Sequence, residues 1–273
     1  MGILVDQTYD IGRIEDVHWN PWYSSHPNYI GFQQTYGVGF LIARTDWEYV
    51  SIAVRELAPP PLPSSPHSHF SSSPSVFLPH HPQVLNTFVF AMSVGYKFVE
   101  SAEGSCNGNF VGIGADCCAN ASVMVEAADP WGIMIVNGEF TSFSGGFGPD
   151  IANHTQVVVS PSNKGAVRFV SSAFWGPSHQ IATIGGSGSV GFESCIFNSW
   201  AAENATNAAA IQVYGGNALV RGSEFQTSHP GGQVHLFPGA KKVIVSENLA
   251  VGPWLMTDDS PSPKHLDLNN IGD

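Results

Sequence analysis

Apolar residues recur at every second position in five segments that share one pattern: Ile133-x-Ile135-x-Asn137-Gly138-x-Phe140, Val167-x-Phe169-x-Ser171-Ser172-x-Phe174, Val190-x-Phe192-x-Ser194-Cys195-x-Phe197, Ala218-x-Val220-x-Gly222-Ser223-x-Phe225 and Val243-Ile244-x-Ser246-Glu247-x-Leu249. Period-two alternation is the mark of a strand with one buried face. The small polar or Gly position that follows is where the chain must bend, because Asn and Gly tolerate dihedrals that other residues avoid. A second set of short strands lies between these segments: Val123-x-Val125, Val157-x-Val159, Ile181-x-Thr183, Ile211-x-Val213 and Val234-x-Leu236. Strand, loop, strand, tight bend, strand, repeated every 23 to 34 residues, predicts an all-β, right-handed parallel β-helix of about seven rungs. A column Phe140, Phe174, Phe197, Phe225, Leu249 would then stack inside it. Gly12-x-Ile14-x-Asp16-Val17-x-Trp19 and Val89-x-Ala91-x-Ser93-Val94-x-Tyr96 fit more loosely. An ordinary β-sandwich is the competing fold.

Composition removes other classes. Only 32 of 273 residues are charged, while Gly and Pro number 48, so the long charged faces of a helical bundle are absent. No apolar run approaches the roughly 20 residues of a membrane span. Ten basic residues against 22 acidic ones give a net charge of −12. No basic cluster suits a phosphate backbone, so nucleic acid is excluded as a partner and a neutral or weakly charged ligand is favoured. Cys106, Cys117, Cys118 and Cys195 lack zinc-site spacing; a bridge from Cys106 to Cys117 or Cys118 and four unlinked thiols both remain open.

Residues 57–84 hold eight prolines and seven serines and no Asp, Glu, Lys or Arg. Such a stretch cannot join a sheet interior. The domain reading is therefore a β-helix over 1–256 interrupted by a disordered insert at 51–84, with 257–273 as a C-terminal tail. The insert reads as a translated intron, whose removal joins Val50 to the strand that begins near Asn86. His67, His69, His80 and His81 fall in it and are discounted as metal ligands. No metal or other cofactor is expected.

The segment Val190-Gly191-Phe192-Glu193-Ser194-Cys195-Ile196-Phe197 resembles the rung signature of the pectin/pectate lyase-like superfamily, and Gly12–Pro21 resembles a rung of its "pectate lyase superfamily protein" branch. The resemblance spans roughly 10–50 and 85–255. It implies a carbohydrate-active protein, and it implies a cleft over the sheet that holds Val123, Val157, Ile181, Ile211 and Val234. It also implies a capping helix that this chain does not show, consistent with an N-terminal truncation. The sequence as written shows no signal peptide. Sequons at Asn120, Asn153 and Asn204 fit an extracellular or secretory-pathway glycoprotein.

Alternation gives Met124, Val158, Ala182, Gln212 and His235 as the outward residues of that sheet, none of them a carboxylate. A glycosidase needs two carboxyl groups about 5 to 10 Å apart. Asp46 and Glu48, two apart in a strand, meet that spacing, and Asp116 and Glu126 are the other catalytic candidates. Asp116-Cys117 resembles part of the Asp-Asp-Cys motif of polygalacturonases, with Ala115 in the first position. Trp22, Tyr23, Trp47 and Tyr49 are candidates for stacking on sugar faces, whereas Trp131, Trp175 and Trp200 read as structural. The expected function is a glycoside hydrolase acting on a polysaccharide or oligosaccharide. A non-catalytic carbohydrate-binding or surface-attachment β-helix is the alternative, with a polysaccharide lyase ranked lower because cations are few and scattered.

Overall fold

A computed structural model describes residues 2–5, 13–19, 35–43, 83–142, 154–201, 208–261 and 263–273. The chain winds through three parallel sheets of nine strands each. Sheet A contains Ile3–Val5, Val38–Ile42, Val94–Phe98, Ala121–Val125, Thr155–Val159, Gln180–Ile184, Ile211–Val213, Val234–Leu236 and Met256–Asp258. Sheet B runs from Arg13–Glu15 and Gln83–Leu85 through Gly108–Val111, Ile133–Val136, Ala166–Val170, Ser189–Glu193, Gly216–Arg221 and Ala240–Ser246 to His265–Leu268. Sheet C runs from His18–Trp19 and Phe88–Phe90 through Gly114–Asp116, Glu139–Thr141, Ala173–Trp175, Ile196–Phe197 and Glu224–Phe225 to Leu249–Ala250 and Ile271–Gly272. Each coil visits A, B and C in turn. This is the expected right-handed parallel β-helix, with seven consecutive turns from Val94 onward and two further sets of strands from the first ninety residues.

The bend between sheets B and C explains the repeat. Asp16, Asn86, Gly112, Asn137, Ser171, Ser194, Gly222, Glu247 and Asn269 occupy it in successive coils, all with φ between 49° and 64°. This left-handed region favours Gly, Asn and Asp. From Asn86 to Glu247 each such residue donates its N–H to the next coil, as Asn137 does to Val170 O (3.0 Å) and Ser194 to Arg221 O (3.0 Å), so the ladder continues around the corner. In several coils the residue after the bend is buried and polar. Ser172 Oγ accepts from Gly138 N–H (3.1 Å), Ser223 Oγ from Cys195 N–H (3.1 Å), and Asn248 Oδ1 from Ser223 N–H (2.9 Å). These side chains pair backbone N–H groups that the bend leaves inside the solenoid.

Stacked apolar columns fill the core. In sheet C Phe140, Phe174, Phe197 and Phe225 are register partners, and in sheet B Phe169 stacks on Phe192 with ring centroids 5.0 Å apart. The two columns meet edge to face, Phe169 on Phe174 at 5.5 Å and Phe192 on Phe197 at 5.6 Å, the geometry that aromatic quadrupoles favour. The four cysteines are buried thiols. Cys195 lies against the carbonyls of Phe169 and Glu193, and burial pushes its pKa up to about 12.

Four expectations are corrected. Ala250, not Leu249, continues the phenylalanine column, and Leu249 faces out, because the bend in that coil is at Glu247-Asn248. In sheet A the strand Gln180–Ile184 turns Ala182 inward and Thr183 outward, since Ala182 pairs with Val157 and Ile211. The loose repeat at 89–96 is no repeat: it crosses from sheet C into sheet A through a bend at Ala91 (φ 55°). Residues 256–272, read largely as a tail, add the last strand to every sheet. Most of the insert at 51–84 lies outside the described residues, although Gln83 and Val84 belong to a strand of sheet B.

Candidate functional site

The corrected register sets which side chains share an outer face. Along sheet A the outward row is Leu41, Lys97, Met124, Val158, Thr183, Gln212, His235 and Thr257. It carries no carboxylate. Glu126, just past the strand Ala121–Val125, is held by Lys97 in a 2.7 Å ion pair. Asp116 lies on sheet C, at the other end of that strand. Five residues at about 3.3 Å each place the two roughly 17 Å apart, well beyond a catalytic pair. Asp46, Glu48, Trp22, Tyr23, Trp47 and Tyr49 lie outside the described residues.

Asp116 has a different partner. It points outward from the end of Gly114–Asp116 and pairs in register with Thr141, while Glu139, two residues before Thr141, points outward from the same adjacent strand. One strand spacing of about 4.8 Å across and two residues along put their Cα atoms about 8 Å apart. Their environments differ. Asp116 is 8% exposed and its Oδ1 has no hydrogen-bond partner. Burial raises its pKa, hydrogen bonds from Cys117 oppose the rise, and the charge of Glu139 adds to it. Glu139 is exposed and lines a cavity of about 360 Å³ with His18, Asn86, Phe88, Gly114 and Asn137. A buried carboxyl with a raised pKa beside an exposed carboxyl places the two groups in different environments, the arrangement by which enzymes divide acid and base roles.

The ground around Asp116 is polar and enclosed. Every buried side-chain atom without a hydrogen-bond partner among the described residues lies where sheet C turns into sheet A, in four consecutive coils. These atoms are Asp116 Oδ1, Thr141 Oγ1, both ring nitrogens of His154, Ser178 Oγ, Gln180 Nε2 and Trp200 Nε1. Buried polar groups are normally paired, so this corner is chemically distinct from the rest of the solenoid.

Two other constellations are structural. Asp258 Oδ2, Ser260 Oγ and the His265 ring form a Ser-His-Asp group, but Ser260 Oγ lies nearer Nδ1 (3.0 Å), the nitrogen that the carboxylate also takes (2.8 Å), than Nε2 (3.4 Å). A nucleophilic triad needs the serine on the opposite nitrogen, and Ser260 N–H donates to Asp258 Oδ1 (2.9 Å) as in a turn. His235 Nε2 meets Asp259 Oδ2 at 2.8 Å while its ring stacks on Phe237 at 4.0 Å. Among the described residues no group of three or more His, Cys, Asp or Glu could hold a metal ion.

Sheet B carries the other concavity. Cavities of about 310 and 300 Å³ on its outer face share Arg168. Trp131, read from sequence as structural, stands 84% exposed at one of them, whereas Trp200 is buried as expected. Glu139 could have been found from sequence: it is the outward position before the phenylalanine of the repeat. It escaped because outward residues were sought only on the sheet through Val123.

Compared with known proteins, the chain matches no family model, no curated protein and no solved structure. No helix of the described residues is long and apolar enough to cross a membrane.

Proposed function

We propose that this protein is a carbohydrate-active β-helix of the pectate lyase-like kind, a glycoside hydrolase whose acid is Asp116 and whose base is Glu139. The observation that carries the reading is the placement of these residues on one face, with Cα atoms about 8 Å apart, Asp116 buried and Glu139 open. Inverting enzymes hold their carboxyl groups about 6.5 to 9.5 Å apart to leave room for a water molecule, a separation that side chains on neighbouring strands at this Cα spacing can reach. Asp116 gives its proton to the departing glycosidic oxygen. Glu139 takes a proton from the water that attacks the anomeric carbon from the opposite side, and the product has inverted configuration. The acidic face suits a neutral or weakly charged polysaccharide. The sequons fit action outside the cell or in the secretory pathway.

A panel of polysaccharides assayed for new reducing ends tests this. Asp116→Asn and Glu139→Gln should each lower the rate about 10² to 10⁴-fold, with unchanged far-UV circular dichroism, and the wild-type product should be the inverted anomer by NMR. Full activity in Glu139→Gln would remove the pair from the mechanism. Wild-type inertness on every substrate, with retained binding, would favour the non-catalytic alternative.

A further inference from the structure

The second concavity lies on another sheet and has a different chemistry. Its floor is the outward row of sheet B, in which Asn109, Met134, Arg168, Gly191, Leu219 and Ile244 follow one another in register. The two cavities meet at Arg168, so the groove runs along the solenoid axis across successive coils. Trp131 stands at one end and Lys242 lines the other.

Two features mark the groove as more than a dip between side chains. The first is Gly191. A Cβ there would meet only Arg168 Cγ at 3.8 Å and Leu219 Cβ at 4.0 Å, ordinary contact. At Gly95, by contrast, a Cβ would fall 2.7 Å from a backbone oxygen. The fold requires glycine at 95 and not at 191, and a strand glycine with open space above it admits a close approach from outside. The second is charge. The chain has 22 acidic residues to 10 basic, yet Arg168 and Lys242 line these cavities and no carboxylate does. Glu193, one row over, reaches Arg168 at only 3.4 Å, and Lys242 makes no ion pair among the described residues.

We infer that this groove is a second, non-catalytic site that holds a linear glycan bearing acidic groups. One sugar face stacks on Trp131, the chain passes over Gly191, and Arg168 and Lys242 pair with its anionic substituents. The inference is independent of the Asp116–Glu139 pair and would stand if that pair were inert.

Calorimetry with alginate, hyaluronate, dextran sulfate and unsubstituted dextran tests it. At least one charged polymer should bind, with affinity that falls as salt rises, and dextran should not. Alginate or hyaluronate against dextran sulfate separates carboxylate from sulfate ester as the group recognised. Trp131→Ala and Arg168→Gln should each weaken binding about tenfold. Gly191→Leu should abolish it while leaving the unfolding midpoint no lower, because the new side chain fills open space. Glu139→Gln should bind like wild type, which separates this site from the proposed catalytic one. Failure of every charged polymer to bind, equal binding of dextran, or undiminished binding by Gly191→Leu would overturn the inference.

Discussion

The middle coils and the last coil are made from the same columns, and they end differently. Through the middle, the inward positions are apolar: Phe169, Phe192, Val220 and Val245 in sheet B, Val159, Ile184, Val213 and Leu236 in sheet A. In the last coil the same columns arrive at Asp267 and Asp258, and the neighbouring one at His265. These polar residues bond one another and their surroundings: Asp258 with His265 at 2.8 Å, Asp267 with the Trp254 indole at 3.4 Å and with Asn270. A stacked solenoid leaves one unpaired strand edge at each sheet end, and inward-pointing charge is a known way to stop another chain from continuing it. The buried histidines follow the same division. His154, in the middle, has no partner for either nitrogen, and burial pushes its pKa down to about 3. His265 at the end has a carboxylate against it.

The largest break in that comparison should come from the phenylalanine columns. Phe192→Ala, which removes contacts to Phe169, Phe174 and Phe197, should cost about 3 to 5 kcal/mol in denaturant unfolding. Leu266→Ala, on the outer face of the last coil and 45% exposed, should cost under about 0.5 kcal/mol. Equal losses would mean that the last coil packs like the middle.

Acid should separate the two histidine environments next. Because the folded-state pKa of His154 lies below its unfolded value of 6.5, its neutral form supports the fold above pH 6.5. That support declines as pH falls toward 3, by about 2 kcal/mol at pH 5 from 1.4 kcal/mol per unit. His154→Leu should flatten the stability profile between pH 6.5 and 4, and an unchanged slope would exclude His154 as its source. Asp258 also loses its contribution on acidification, but at lower pH. Burial raises its pKa, but hydrogen bonds from His265 and Ser260 outweigh that and hold it below 3.8, so the last coil loses its contribution only in stronger acid.

Smaller in free energy is the cap. Asp267→Leu, exposed at the end of an apolar column, should leave the unfolding midpoint nearly unchanged but produce dimers by analytical ultracentrifugation. A strictly unchanged sedimentation profile would deny the cap its role. The smallest effect is expected from the first coils. The link from Ile42 to Gln83 has 40 residues, whereas the other links from sheet A to sheet B have 2 to 9. Removing residues 51–82 leaves eight, within that range, and the shortened chain should show an unchanged midpoint and circular dichroism.

Much of the solenoid was legible because each coil repeats a local requirement. The left-handed bend selects Asn, Gly or Ser, and the strands on either side alternate visibly. Where the bend residue is atypical, the reading slipped. Glu247 does not announce a left-handed bend, so the column was assigned to Leu249 instead of Ala250. In Gln180–Ile184 the apolar residues Ile181, Ala182 and Ile184 do not alternate cleanly, so the phase was lost by one residue and the outward face with it. Trp131 was misjudged because a tryptophan at a bend can face either way, and only its surroundings decide. Asp116 was singled out from sequence, but its pairing with Glu139 on the adjoining strand was not, because nothing in the chain shows which strand lies beside Gly114–Asp116.

Local chain chemistry by itself determined that this protein coils: alternation buries one face of each strand, and a small residue in the left-handed region turns the chain between sheets B and C. Which coil lies on which, and in what register, only the tertiary structure decided. Asp116 and Glu139 are 23 positions apart in the chain, and Trp131, Arg168 and Gly191 span 60. They share faces because parallel strands hydrogen-bond at a fixed spacing of about 4.8 Å, whatever the length of loop between them.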